Sequence, residues 1–84
     1  MPKSILYRAH AETVLRERKL DKAWVEYTVL APEWTEPDPA DPTLERRFRV
    51  LPERHGRILR VVCAENHDSI IVVTAFLDRR ARRP

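Results

Sequence analysis

The chain has 84 residues, of which 43% are hydrophobic and 35% are charged, and its formal net charge is +3. This length predicts a single domain over residues 1–84, because two halves of about 40 residues would each need a disulfide or a metal to fold. One cysteine excludes an internal disulfide framework, one glycine excludes a glycine-rich nucleotide loop, and the longest apolar run, Ile70 to Leu77, is too short to cross a membrane.

The first part of the chain predicts one strand and two helices. The apolar run from Ser4 to Tyr7 is typical of a strand, and the spacing of apolar residues from Ala9 to about Lys19 is that of a helix. Asp21 is a good N-cap for a second helix, which we expect to end before Pro32.

Residues 32–43 are predicted to form a stiff acidic connection. They contain four prolines, four acidic residues and no basic residue. Trp34 and Thr35 are expected to form a short edge strand, because proline is tolerated in a sheet mainly at its edges.

The residues after this connection change to the period of a strand. Phe48 and Val50 alternate with Arg47 and Arg49, which is typical of a strand with one covered face. Gly56 then supplies the positive φ that a tight turn needs.

Two further strands are predicted at 58–64 and 70–77, and residues 79–84 are predicted to be a frayed basic tail. The side chains of the first of these strands are apolar on both faces: Leu59, Val61 and Cys63 on one, Ile58 and Val62 on the other. One layer of helices covers only one face, so a loop, the tail or another chain must cover the second. We therefore expect a homodimer or a bound partner over Ile58 and Val62.

The order of these elements predicts an α+β fold. Two N-terminal helices are expected to pack on one face of an antiparallel sheet of three to four strands, because helices grouped before strands are typical of that class.

Positive charge is concentrated in the second half of the chain. Residues 1–42 hold six basic and eight acidic side chains, whereas residues 43–84 hold ten and five. All ten basic residues of the second half are arginines, whose planar guanidinium binds phosphate or carboxylate through two hydrogen bonds. This distribution favours an acidic partner, such as RNA or an acidic protein; arginines that only keep the domain soluble are the alternative.

Four short motifs along the chain carry a resemblance to a known family. They are His10-Ala11, Arg18-Lys19-Leu20, Pro32-Glu33 and Ile71-Val72-Val73-Thr74. The pattern resembles the domain of unknown function 4258 family (DUF4258), small bacterial proteins that look related to the RelE/ParE and BrnT toxins. The resemblance implies a helix pair on an antiparallel sheet and a cytoplasmic, toxin-like protein that binds RNA. Such a protein is also a candidate metal-independent endoribonuclease.

Two departures from the family pattern favour a different function. Val14 stands where many members carry an arginine, and the tail lacks the tyrosine or histidine that many active RelE-type nucleases place near the end. The alternative is therefore a non-catalytic protein-interaction module, or an inactive toxin homologue, that uses the same sheet face. An acidic antitoxin-like protein is a candidate partner in either case.

His10 is the candidate general base of an RNA-cleaving site. An imidazole has an ordinary pKa of about 6.5, which suits proton removal from a ribose 2′-hydroxyl near neutral pH. His10 also lies at the predicted start of the first helix, where backbone N–H groups favour a phosphate. The alternative is a structural histidine that closes this helix end or packs against Trp34. His55 and His67 fall in predicted turns.

Arg18, Arg49 and Arg60 are the candidate phosphate-binding cations of the same site. Arg60 interrupts an apolar strand, where a charge is costly unless it is paired or faces an open groove. Arg49 and Arg60 would stabilise the charge that develops on phosphorus, and Arg18 would orient the strand. The alternative is that these arginines pair with carboxylates of the same chain: Glu26, Glu45 or Glu65.

A second set of arginines is predicted to bind the nucleic acid without taking part in chemistry, through release of counterions. This set consists of Arg47, Arg79, Arg80, Arg82 and Arg83. Its alternative is a solvated surface.

Other chemically distinctive residues are given structural roles. Trp24 and Tyr27 have helical spacing and are predicted to lie in the core, and Cys63 is predicted to be a buried, inert thiol. The histidines and the cysteine show no metal-ligand spacing, so we expect no metal and no cofactor.

Overall fold

A computed structural model describes residues 3–84 and shows two helices and five strands. In chain order the elements are β1 (Ser4–Tyr7), α1 (Ala9–Arg18), α2 (Lys22–Leu30), β2 (Trp34–Pro37), β3 (Glu45–Leu51), β4 (Arg57–Glu65) and β5 (Ser69–Leu77). The predicted helices and strands are all present, and the predicted strand ranges 58–64 and 70–77 contain no helix. In the part of the chain that the structure describes, neither helix is long and apolar enough to span a membrane.

The five strands form one mixed sheet in the order β1-β5-β4-β3-β2. Strand β1 runs parallel to β5, and the other neighbours are antiparallel. The α+β class is therefore confirmed, but the prediction of a purely antiparallel sheet of three to four strands is wrong. The helices also follow β1 rather than opening the chain. The pairing of the first strand with the last joins residues far apart in sequence, so no local pattern indicates it.

The helix pair covers one face of the sheet and forms the core with it. Buried core residues come from both layers: Ala11, Leu15, Leu20, Val25 and Val29 from the helical segment, and Leu51, Leu59, Val61, Cys63, Ile70, Val72 and Ala75 from the strands. Asp21 is the N-cap of α2, as predicted, and its carboxylate accepts a hydrogen bond of 2.8 Å from the Ala23 N–H. The predicted turn is also present, with left-handed backbone at both His55 and Gly56.

Two of the three arginines of β3 point to the side of the sheet that the sequence pattern predicts to be covered by apolar residues. Arg47 and Arg49 lie on the helix side of the sheet, where each donates a hydrogen bond of 2.7 Å, to the Val29 and Ala31 carbonyls respectively. Because α2 has no basic residue in its own last turn, these guanidinium groups supply the cations that a helix C-terminus favours. Phe48 consequently lies on the other face and is only 3% exposed.

We call the sheet face opposite the helices the open face, because neither α1 nor α2 covers it. The acidic connection and the C-terminal segment nevertheless cover much of this face. From the acidic connection, Asp38 accepts a hydrogen bond of 3.1 Å from Arg46 Nε. From the C-terminal segment, Asp78 lies 3.4 Å from Arg60 Nε. Val62 is 7% exposed within this single chain, so its burial requires no second copy. The homodimer stays a prediction.

The C-terminal residues are folded against the sheet. Asp78 accepts backbone hydrogen bonds from Arg80 and Ala81, which turns the chain back towards the open face. Arg83 Nη2 then lies 2.8 Å from a Glu33 carboxylate oxygen. The structure thus places the basic tail beside the open face, with Asp78 and the distant Glu33 as its bonding partners.

Two exposed carboxylates are held in their charged form by donors from other elements. Hydrogen bonds from Lys3 and then from Arg47 lower the pKa of Glu65 below its ordinary value of 4.5. A backbone hydrogen bond from Val50 is the largest cause that lowers the pKa of Glu33 below the same value.

We expect the protein to lose stability on acidification as these carboxylates are protonated. Their pKa values are lower in the folded than in the unfolded state, so their contribution is complete above about pH 5 and is lost as the pH falls through the folded values. The melting temperature, measured at pH 7, 5 and 3, should fall mainly in the last interval. Glu65→Gln should be less stable at pH 7 and should lose less on acidification. An unchanged melting temperature from pH 7 to pH 3 would contradict this assignment.

Candidate functional site

A groove of about 370 Å³ on the open face brings together four arginines. We call it the arginine groove. Its charged lining consists of Arg46, Arg60, Arg80 and Arg82 with the carboxylates of Glu36 and Asp78. Cations outnumber carboxylates in this lining, so the groove favours an anionic ligand.

The strands and the folded-back tail position these arginines. Arg46 is the cross-strand partner of Val62, and Arg60 is that of Phe48, so Arg46 and Arg60 are diagonal neighbours on one face. The turn at Asp78 carries the two tail arginines of the groove over the same face.

A continuous row of cross-strand neighbours runs through the groove. Trp34 pairs with Phe48, Phe48 with Arg60, and Arg60 with Phe76. The Trp34 and Phe48 rings are stacked with centroids 4.9 Å apart, and the Arg60 guanidinium lies 4.2 Å from the centroid of the Phe76 ring. The row therefore places an aromatic ring on each side of Arg60: the buried Phe48 ring and the half-buried Phe76 ring.

Two buried donors in this row make no hydrogen bond within residues 3–84. They are Trp34 Nε1 and Arg60 Nε, although Arg60 Nε is ion-paired with Asp78 at 3.4 Å. Burial, and secondly the positive charge of Arg46, lowers the pKa of Arg60, so its charged form is less favourable here than in water. Arg46 and Arg60 are already paired with Asp38 and Asp78, so a bound anion would share these guanidinium groups with the two carboxylates and further reduce the repulsion between the arginines.

Arg18 approaches the same row from the helical layer. Its guanidinium donates a hydrogen bond of 3.0 Å to the Ala75 carbonyl and lies 5.7 Å from the centroid of the Phe76 ring. Arg18 and Arg60, two of the predicted cations, therefore contact one aromatic ring.

Arg49 does not join this cluster. Its cross-strand partner is Leu59, on the helix side, whereas Arg60 points to the open face. The sheet separates the two guanidinium groups, so the pair expected between Arg49 and Arg60 does not form.

Arg47 does not line the arginine groove either. It is 9% exposed and forms ion pairs with Glu45 and Glu65, the carboxylates considered as partners for the other arginines. Glu26 accepts a hydrogen bond from Tyr7 instead. Arg47 is therefore a buried, ion-paired residue, whereas the predicted contact with a nucleic acid requires an exposed one; that contact stays a prediction.

His10 lies in the first turn of α1 and is exposed. Within the described residues its side chain forms no hydrogen bond or ion pair. Trp34, its suggested packing partner, instead stacks on Phe48 on the open face. The imidazole is therefore free to contact a ligand.

Three other predictions are resolved by burial. Cys63 is fully buried, and burial raises the pKa of its thiol to about 11, in agreement with an unreactive cysteine. Trp24 is half-buried and packs against the core, in partial agreement with its predicted position. Tyr27 is 55% exposed, so the prediction that it lies in the core is wrong. Both residues do lie on α2, as their spacing predicts, but the side of this helix that carries Tyr27 is not covered by another element of residues 3–84.

Sequence analysis did not identify Arg46 or Phe76 as parts of the site. The register of the strand that contains Arg46 cannot be fixed from sequence, and Phe76 is one apolar residue among many in the predicted strand 70–77. The alternation of residues 46, 48 and 50 predicts that these three side chains share one face of the sheet. It does not show that this face is the one without helices.

Comparison with known proteins gives one match. A family model described as Domain of unknown function (DUF4258) matches residues 7–77, which is most of the chain. No curated protein and no solved structure matches. The relation to the RelE/ParE and BrnT toxins stays a prediction.

Proposed function

The chain belongs to the DUF4258 family, and we propose that this member is a toxin-like protein that binds single-stranded RNA in the arginine groove. The observation that carries the proposal is the concentration of Arg46, Arg60, Arg80 and Arg82 in one groove whose lining, among the described residues, contains only two carboxylates, Glu36 and Asp78. Phosphate oxygens match guanidinium groups in charge and geometry.

The aromatic row supports a nucleic acid rather than a small anion as the ligand. Single-stranded binding sites combine cations along the backbone with aromatic rings on which bases stack. The Phe76 ring, with Arg18 and Arg60 beside it, and the Trp34–Phe48 stack lie in one line with the groove arginines. Phe48 is only 3% exposed, so the rings of this line that a base could contact are those of Trp34 and Phe76, which are half-buried.

The proposal is tested by fluorescence anisotropy with a labelled single-stranded RNA of 12 nucleotides. Binding should weaken with salt, and up to four phosphate contacts at about 0.7 each predict a slope of log K against log salt near −3. Arg60→Ala should weaken binding about tenfold and make this slope shallower by about one contact.

The matched control for this experiment is Arg16→Ala, which removes the same charge from an exposed position on α1. It should leave the affinity within about twofold, since it lies outside the groove. Absence of salt-dependent binding, or equal effects of the two substitutions, would overturn the proposal.

Cleavage of the bound RNA is a second candidate function, favoured by the exposed and unpaired His10. His10 would take the proton from a ribose 2′-hydroxyl, whose oxygen then forms a bond to the adjacent phosphorus. The bond from phosphorus to the 5′-oxygen breaks, and that oxygen takes a proton from solvent. Arg18 and Arg60 would stabilise the charge on the phosphorane oxygens.

A protein that binds RNA without cutting it would correspond to the inactive-homologue alternative. Arg18 lies eight residues after His10 on α1, about 12 Å along the helix axis. His10 is not part of the groove lining, so a bound strand would have to extend beyond the groove to reach it. Cleavage therefore requires the bound RNA to extend as far as His10, whereas binding in the groove does not. For this reason the two functions can be tested separately.

A further inference from the structure

A second cleft, of about 390 Å³, lies on the helix side of the sheet between α2 and the end of β3. Its lining includes Trp24 and Tyr27 from the helix, and Leu51 and Pro52 from the strand and the turn that follows. The arginine groove is on the opposite face, so this cleft plays no part in the proposed RNA binding.

Two arginines lie over aromatic rings at this cleft. The Arg49 guanidinium is 4.0 Å from the centroid of Tyr27, and that of Arg54 is 5.8 Å from the centroid of Trp24. Within residues 3–84 neither arginine has a carboxylate oxygen within ion-pair distance. The lining itself holds one arginine, Arg49, and one carboxylate, Glu53. Positive charge exceeds negative charge at the cleft only when Arg54, which lies over the Trp24 ring just outside the lining, is included.

Exposed apolar surface continues from the cleft along α2. Tyr27 is 55% exposed and Leu30 is 60% exposed, and they are three residues apart on one face of the helix. A shallow cleft of about 450 Å³ at the far end of this face includes Leu30 and Pro32. The apolar surface is thus a stripe along the helix with cations at one end.

We propose that this stripe binds an amphipathic, acidic segment of a partner protein. Apolar residues of the segment at helical spacing would contact Tyr27 and Leu30, and its carboxylates would pair with Arg49 and Arg54. A peptide helix is favoured over RNA for two reasons. Only two cations of the described residues lie here, each over an aromatic ring, and the surface between α2 and the turn that follows β3 is apolar. This proposal goes beyond RNA binding and does not depend on it.

The proposal is tested by selecting binders from a displayed library of random 16-residue peptides on the wild-type protein. We expect the selected peptides to combine acidic residues with apolar residues at spacings of three and four. Arg54→Glu should weaken their binding at least tenfold, because it places a carboxylate opposite theirs. The matched control Arg16→Glu makes the same charge change elsewhere and should alter affinity less than twofold.

A second substitution separates the apolar from the charged contribution. Tyr27→Ala removes an exposed ring, so the fold should persist by circular dichroism while peptide affinity falls about tenfold. RNA affinity should be unchanged in both Tyr27→Ala and Arg54→Glu, which distinguishes failure of this proposal from failure of RNA binding. Selected peptides that are basic, or that bind Arg54→Glu as tightly as wild type, would overturn it. Sedimentation that shows a wild-type dimer dissociated by Tyr27→Ala would assign the stripe to a second copy instead.

Discussion

Replacement of His10 by alanine is expected to slow cleavage of RNA by about 10²–10⁴-fold, the usual contribution of general acid–base catalysis. Affinity for the same RNA should change by less than about twofold, because His10 lies outside the arginine groove and bonds to nothing within the described residues. Cleavage is measured by gel electrophoresis of a labelled RNA, and the product should carry a 2′,3′-cyclic phosphate. A loss of rate without a loss of binding identifies a group that acts in the transition state.

His67→Ala is the matched control for this experiment. His67 is an exposed histidine in the turn between β4 and β5, so its loss tests whether any imidazole affects the rate. Both variants are purified in the same way as the wild type, so a contaminating nuclease would give all three the same rate. RNA that stays intact with the wild type, or that His10→Ala cuts as fast, would leave binding without cleavage and favour the inactive-homologue alternative.

The spans of the helices and strands could be predicted because their signals are local. Asp21 bonds to the Ala23 N–H two residues away, and Pro32 lies just beyond the end of α2, so each boundary is specified by its neighbours. The pairing of β1 with β5 could not be predicted in this way. It joins Ser4 to Ser69, and short strands with little alternation leave both partner and direction undetermined.

The composition of the site was predicted less well than the fold, because it depends on which face each β3 residue occupies. Alternation placed Arg47 and Arg49 together correctly but could not show that they bind carbonyls of α2, 18 residues earlier in the chain. The same alternation places Arg46 and Phe48 on the open face. The groove depends on the register between β3 and β4, which places Arg46 close to Arg60. This register cannot be derived from the sequence pattern.

Arg47→Ala is expected to cause the largest loss of stability of any single substitution considered. The guanidinium donates to Glu45, to Glu65 and to the carbonyl of Val29, and it is 9% exposed. Hydrogen bonds to charged groups contribute about 1.5–3 kcal/mol each, but both carboxylates are more than a third exposed and can be rehydrated. The carbonyl at the end of α2 would lose its buried donor. We expect a loss of about 2–4 kcal/mol in the free energy of unfolding.

Urea denaturation measures this loss against two other variants. Arg16→Ala, which removes an exposed arginine, should cost less than about 0.5 kcal/mol. Arg47→Lys should recover only part of the stability, because an ammonium group on a single flexible stem cannot reproduce the planar fork that reaches two carboxylates and a carbonyl together. If Arg47→Ala costs no more than Arg16→Ala, the ion pairs with Glu45 and Glu65 do not hold β3 and β4 to α2, and Arg47 returns to being a candidate for the RNA surface.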